Sequence, residues 1–262
     1  MLRMTIMTKD LKIAIKIVQK TNKLLAKKFQ KFGLDHVKLK KGEEIVTDAD
    51  FSANKFITAE LLKHFPSDDI TSEEDRPIDN PGEKMWFIDP LDGTTNFAFG
   101  IRLFATCLSR ADRDTIDIGV IGIPMDKEIF WSDKGVAYLN KQKIHVAGNN
   151  NHGDKEMFLF CGGHSDAAQK HLLKIIERLN TKTTRFRILS SAGIEMSYVA
   201  CGRAHGCVMS EIHPWDVLPG VLLVRSAGGR VTNFAGQDWQ LTDTELIASN
   251  SASHERLLKL VE

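Results

Sequence analysis

One stretch, Trp86-Phe87-Ile88-Asp89-Pro90-Leu91-Asp92-Gly93-Thr94-Thr95-Asn96-Phe97, constrains this chain more than any other. Met85 to Ile88 is an apolar run bounded by turn residues, the pattern of a buried strand. Pro90 has no amide hydrogen and is expected to end the ladder there. Asp89 and Asp92 would then stand at the carboxyl end of a strand, where α/β sheets bind ligands. Gly93-Thr94-Thr95 suits the opening of a helix, whose free amides and positive dipole end attract phosphate. Two carboxylates beside such an anion site repel phosphate unless a hard cation lies between them. An all-oxygen ligand set of this kind suits Mg²⁺. The stretch points to metal-assisted phosphate chemistry, although taken alone it also fits an Asp-rich turn that only caps a helix.

Three other segments bear on that choice: Val46-Thr47-Asp48-Ala49-Asp50, the pair Glu73-Glu74, and Pro214-Trp215-Asp216-Val217-Leu218-Pro219-Gly220. Asp-Pro-Leu-Asp-Gly-Thr-Thr-Asn resembles the first signature of the inositol monophosphatase family of Mg²⁺-dependent, lithium-sensitive phosphatases. The Trp215-Asp216 segment is similar to that family's second signature, and the other two fall in the same order and spacing. The resemblance implies an α/β (α+β) fold, a layered αβαβα sandwich of the inositol monophosphatase and fructose-1,6-bisphosphatase type. It implies a homodimer, and a reaction in which metal-activated water attacks a phosphate monoester. It also implies Glu73, Asp89, Asp92, Asp216 and the carbonyl of Leu91 as metal ligands. Thr94, with Glu73, would orient the water, and Asp50 would be linked to Thr94. Gly93 and Thr94 would hold the phosphate. Asp92, Ala192, Glu211 and Asp216 would face the substrate.

Two of these acids have local alternatives. Thr47-Asp48-Ala49-Asp50 has the form of a capping box, so Asp50 also reads as the N3 acid of a helix start, and both roles can hold together. Asp216, at the head of an apolar helix, reads alone as a plain N-cap. Glu74 is either a group behind the metal ligands or a solvated neighbour. His213 has no required part in an all-oxygen site, and Trp215 is expected to anchor its helix in the core.

A chain of 262 residues, 42% apolar and 26% charged, has the make-up of a globular protein with a substantial core. A net charge of +1 gives no electrostatic footprint for nucleic acid. Lys38, Lys40 and Lys41 close a lysine-rich region that reads as solvated, with substrate contact from Lys40 and Lys41 as the alternative. The four cysteines show no metal spacing and are expected to be reduced, buried thiols. Lys9, Asp10 and Lys12 interrupt any signal-peptide core, and no run approaches a membrane span, so a cytoplasmic enzyme is expected.

In order, residues 8–31 read as an amphipathic helix, Val37 and Leu39 as an exposed strand, and residues around Gly42 as a turn. A helix through Phe56, Leu61 and Phe65 stops before Pro66, and Ile70-Thr71-Ser72 is a short strand. Asp75 to Glu83 reads as a surface loop. Residues 103–111, 115–124 and 128–133 are predicted antiparallel strands, followed by Val136–Leu139 and Ile144–Val146 with a turn at Asn140. Beyond them, strands are expected at Met157–Cys161, Phe186–Leu189, Cys207–Met209, Val231–Phe234 and Leu246–Ala248. Helices are expected around Leu172–Leu179, at residues 192–201, at Val217–Ala227 and at the carboxyl end. One domain, 1–262, is expected, with two lobes of about 1–145 and 146–262.

Two positions depart from the family pattern. Some members carry an inositol-binding glutamate seven residues before the final aspartate. Here that position is Met209, which cannot act as a charged acceptor, and Glu211 stands two residues on as a candidate substitute. Ser190 occupies a position where glycine is usual. Inositol 1-phosphate remains the favoured substrate, with fructose 1,6-bisphosphate and 3′-phosphorylated nucleotides as runners-up. An RNA-polymerase-associated factor is the alternative of another class, and the neutral charge lends it no support.

Overall fold

The computed structural model describes residues 7–30, 37–39, 45–75, 82–113, 115–148, 155–163, 165–179 and 184–262. The Gly42 turn, Lys40, Lys41 and most of the 75–83 loop lie outside the described residues. The chain opens with α1 (Lys9–Phe29), capped by the Thr8 hydroxyl, and a two-stranded hairpin of β1 (Val37–Leu39) and β2 (Ile45–Thr47). α2 (Asp48–His64) follows directly.

Among the described residues, the larger sheet has seven strands in chain order: β3 (Asp69–Ser72), β4 (Lys84–Asp92), β5 (Ala105–Asp112), β6 (Thr115–Ile123), β7 (Glu128–Asp133), β8 (Val136–Leu139) and β9 (Gln142–Lys143). β3 and β4 are parallel, and the rest is an antiparallel meander, joined by tight turns after β5 and by a longer connection of residues 93–104 between β4 and β5. The turn residue Asn140 has φ 54°, and its side chain and carbonyl bind back to β7. Residues 144–146 form no strand, because β9 has already closed the meander at Gln142–Lys143.

The smaller sheet has the order β11-β10-β12-β14-β13, where β10 is Glu156–Cys161, β11 Thr184–Arg187, β12 Gly206–Ser210, β13 Arg230–Thr232 and β14 Glu245–Ser249. β10, β11 and β12 are parallel, and β14 runs against both β12 and β13. β11 starts earlier than its apolar residues suggest, since Thr184 pairs with Glu156 and Arg187 with Leu159. The helices of this half are α4 (Asp166–Glu177), α5 (Ala192–Ala200), α6 (Pro214–Ser226) and α7 (His254–Val261).

The layers run α1 and α2, larger sheet, α5 and α6, smaller sheet, α4 and α7, which is the αβαβα sandwich. β4 explains why its sequence is a continuous apolar run rather than an alternating one. Trp86 and Ile88 pack under α1 and α2, while Phe87 faces the central α5–α6 layer. A strand covered on both faces has no polar side. A satellite cluster of Leu25, Ala49, Ala53, Leu91, Phe97 and Phe104, closed by Phe29, lies beneath the short helix α3 (Thr94–Ala98). Its rings meet at 5.0–5.3 Å between centroids.

Candidate active site

Pro90 does not end β4. The strand continues to Asp92, with its register slipping between Asp89, opposite Cys107, and Asp92, opposite Ala105. Three steps on one strand against two on the other make a bulge, and a proline without a donor is tolerated in such an unpaired segment. The bulge turns Asp89 and Asp92 toward the same cleft. Asp89 Oδ1 accepts the Leu91 amide at 3.0 Å, fixing the kinked backbone. Gly93 then takes φ 85°, where an added Cβ would stand 2.9 Å from the Leu103 carbonyl, so only glycine leads into α3 at this angle.

Glu73 arrives through the parallel register. Ser72 pairs with Ile88 and the Glu73 amide donates to the Ile88 carbonyl at 3.1 Å, so Glu73 stands next to Asp89. Asp216 comes from α6. It is not the N-cap but the N3 residue behind His213, whose amide donates to Asp216 Oδ2 at 2.8 Å. The four acids come from three segments of the chain, Asp89 and Asp92 sharing β4, and line one cleft of about 880 Å³, together with Leu91, Gly93, Thr94, Ala192 and Glu211. Burial and the neighbouring charges of Glu73, Asp92 and Asp216 hold the Asp89 carboxyl well above the usual carboxylate range. Asp92 is pushed up by burial and drawn back by hydrogen bonds from Ser191, Gly193 and Ala192, ending at about 6.

Asp50 lies behind the cleft. Its Oδ2 accepts the Thr47 amide at 2.7 Å and the Thr47 hydroxyl at 2.6 Å, while the Thr47 hydroxyl accepts the Ala49 amide at 3.1 Å. The capping box is therefore present, and the same carboxylate presents Oδ1 to the Thr94 hydroxyl at 2.9 Å. The Leu91 carbonyl lies equally close to that hydroxyl, 2.9 Å away. Burial raises the Asp50 carboxyl despite these bonds, and the Glu74 charge adds to the rise. Glu74 is half-buried with one carboxylate oxygen fully covered, not a solvated neighbour.

Met209 is placed differently from the expectation. β12 turns it into the central core, away from the cleft, and its neighbours Ser210 and Glu211 line the cleft instead. Alternation along the strand sends Met209 to the core side with Cys207, and the strand ends at Ser210, so the left-handed Glu211 escapes that face. Glu211 has φ 53° and lies over Gly163, where any Cβ would collide with its carboxylate. It accepts the Ser165 amide at 3.2 Å and also the Ser165 hydroxyl. Trp215 is half-buried, packs against the central core cluster as expected of a helix anchor, and also lines the cleft, stacked on His213 at 4.7 Å. Cys107 and Cys207 are buried thiols, but Cys161 is half-buried on the cleft wall and Cys201 is half-buried as well.

Two residues of the site, Ser191 and Glu195, carried no signal that sequence reasoning used, and Asn96, within the signature stretch, was assigned no role of its own. Ser191 donates its hydroxyl to Asp92 at 2.5 Å. Asn96 donates to the carbonyls of Leu103 and Leu189, both at 2.7 Å, and Ser190 at 3.3 Å. Glu195, a lone acid in the apolar helix α5, is fully buried and accepts the Leu189 amide at 2.9 Å. An acid amid buried apolar residues was the available clue to it.

Among the described residues, no three His, Cys, Asp or Glu side chains stand around one point as a closed ligand shell. The donor chemistry nonetheless fits a hard divalent cation. The set is all oxygen, and Asp89 is raised by burial and then by the charges of Glu73, Asp92 and Asp216, a repulsion that a cation relieves.

Comparison with known proteins places this architecture among phosphatases, and specifically the chain belongs to the inositol monophosphatase family, whose model it matches over residues 7–262. It is 33% identical over 253 residues to a Thermotoga maritima protein named fructose-1,6-bisphosphatase/inositol-1-monophosphatase, covering 96% of this chain and 95% of that one. It is 29% identical over 259 residues to the Nus factor SuhB of Pseudomonas aeruginosa, covering 96% and 95%. Among solved structures, a Thermotoga maritima IMPase superposes with a TM-score of 0.87 at 32% identity, over 97% of each chain. Among the described residues, no helix is long and apolar enough to cross a membrane.

Proposed function

We propose that this phosphatase is a Mg²⁺-dependent phosphomonoesterase acting on a small phosphorylated polyol, with inositol 1-phosphate the favoured substrate. The observation that carries the proposal is the gathering of Glu73, Asp89, Asp92 and Asp216, from three segments of the chain, on one cleft at the start of α3. These four acids and the Leu91 carbonyl would hold Mg²⁺, which when bound offsets their charge, activates water and steadies the leaving oxygen. The amides of Gly93 and Thr94 hold the phosphate at the first turn of α3. Thr94 directs its proton to Asp50 or Leu91, which leaves an oxygen lone pair to accept a hydrogen bond from the attacking water. Glu73 orients the same water from the other side. A bond forms from the water oxygen to phosphorus as the ester P–O bond breaks, and a proton passes to the departing alcohol. Asp92, Ala192, Glu211 and Asp216 face that alcohol, with Glu211 taking the acceptor role that Met209 cannot fill.

Fructose 1,6-bisphosphate is supported as a runner-up by the name of the Thermotoga relative, and 3′-phosphorylated nucleotides remain a further candidate. The setting is read as cytoplasmic. Exposed Phe99, Ile101 and Ile188, on loops tied together through Asn96, support a homodimer. A phosphate-release screen with Mg²⁺ over inositol phosphates, sugar phosphates and nucleotides tests the proposal. Activity should require Mg²⁺ and fall when lithium is added; full turnover in excess chelator would overturn it. A second reading, an RNA-polymerase-associated factor, draws on the relatives named Nus factor SuhB. Retention of RNA polymerase from lysate by an inactive Asp89→Asn variant would favour it as a separate role.

A further inference from the structure

Asp92 is seated on the first turn of α5. Its Oδ1 accepts the Ala192 amide at 3.0 Å, and its Oδ2 accepts the Gly193 amide at 2.9 Å and the Ser191 hydroxyl at 2.5 Å. Where α5 begins therefore decides how this carboxylate faces the cleft. The helix begins at a turn in which Ser190, a residue with a Cβ, is held at φ 53°. A left-handed conformation costs such a residue roughly 1–2 kcal/mol, so the surroundings must enforce it.

Two buried side chains hold that turn from opposite sides. Asn96, from α3, donates to the carbonyls of Leu189 and Ser190. Glu195, one turn into α5, reaches back so that its Oε1 accepts the Leu189 amide at 2.9 Å. Among the described residues, the second oxygen of Glu195 is buried with no hydrogen-bond partner. Burial pushes the group up to about 8.

We propose that Glu195 is a positioning residue for the metal site: by pinning the Leu189 amide it holds the left-handed turn at Ser190, and through the turn the three donors that orient Asp92. This rests on Asp92 being a ligand of Mg²⁺. Partners behind metal ligands are typically worth about 10–100-fold in metal affinity. Glu195→Leu removes the acceptor, and Glu195→Gln keeps an acceptor oxygen in the same place.

The test is calorimetric Mg²⁺ binding to the metal-stripped protein without substrate, paired with the Mg²⁺ concentration for half-maximal activity and with kcat at saturating Mg²⁺. Glu195→Leu should weaken binding about tenfold or more and raise the half-maximal concentration in parallel, with kcat at saturation changed less than about threefold. Glu195→Gln should stay within about threefold of the wild type throughout. Should Glu195→Leu not fold, Glu195→Asp, too short to reach the Leu189 amide, carries the same expectation. Wild-type Mg²⁺ affinity in either variant, with only the melting temperature lowered, would overturn the positioning role. Equal weakening in Glu195→Gln and Glu195→Leu would overturn it too. Asp92→Asn is the control: unchanged Mg²⁺ affinity there would remove Asp92 from the metal site and this role with it. Weakening there, but not in the Glu195 variants, refutes the positioning role alone.

Discussion

Asn96 offers a sharp test of how the two halves of the protein are joined beside the cleft. Its amide nitrogen faces three carbonyl oxygens, of Leu103, Leu189 and Ser190, at 2.7, 2.7 and 3.3 Å. Three acceptors around one atom fix it as the NH₂ end of the side chain, whose two protons make two full bonds and share the third. Asn96→Ala removes those bonds and leaves buried carbonyls without their donor. Each net bond is worth about 1 kcal/mol and each orphaned buried group about 1–3 kcal/mol, so a loss of about 2–4 kcal/mol is expected. For a chain of this size that lowers the melting temperature by about 5–15 °C.

Asn96→Asp keeps the shape but aims an acid at the same three oxygens. Those oxygens disfavour the ionised form, so its folded pKa rises above the unfolded value of about 3.9. An acid with a raised folded pKa is undisturbed below its unfolded value and destabilises as pH climbs through the folded one. Asn96→Asp should therefore be less stable than Asn96→Ala at pH 7.5 and recover relative to it at pH 5. Thermal unfolding of both variants at the two pH values, with chelator present throughout, measures this. Equal behaviour of the two variants at both pH values, or Asn96→Ala melting within 1 °C of the wild type, would refute the clasp.

Three further outcomes are expected. Asp89→Asn and Asp216→Asn each remove a negative ligand at constant size, so circular dichroism should be unchanged while Mg²⁺-dependent turnover falls by about 100-fold or more; near-normal turnover withdraws that residue from the ligand set. Ser190→Gly relieves the left-handed strain at φ 53°, offset in part by added freedom of the unfolded chain, and should raise stability by up to about 1 kcal/mol; a fall in melting temperature contradicts that account. His254, buried between the hydroxyls of Thr232 and Ser249 at 3.0 and 2.7 Å, is pushed by burial down to about 4. A depressed histidine contributes its stability fully above about 6.5 and loses it as pH falls toward 4. Denaturant titrations should therefore show His254→Gln losing roughly 1–2 kcal/mol less than the wild type between pH 7 and 5, and identical losses would count against it.

Much of the site was legible because its chemistry is local. The Asp89–Phe97 stretch carries two carboxylates, a glycine able to take φ 85° and a helix start within nine residues, and side-chain type and spacing suffice to read them. The Thr47–Asp50 capping box is equally local, and hydrophobic periodicity gave most strands and helices to within a few residues. What could not be read depended on neighbours remote in sequence. Pro90 was expected to end β4, and only the register against β5 reveals that a bulge carries the strand past it. Met209 and Glu211 are two residues apart, yet the pairing of β12 with β10 and β14 puts one in the core, and a left-handed residue swings the other over Gly163 into the cleft. Glu195 belongs to no motif, and Asn96 closes the Asp89–Asn96 signature without that stretch revealing its partners. Their roles exist because packing brings α3, the Leu189–Ser190 turn and α5 together, and buried amides and carbonyls must find partners wherever the fold leaves them. Residue type thus determined which groups could do chemistry, and tertiary packing decided which of them face the same cleft.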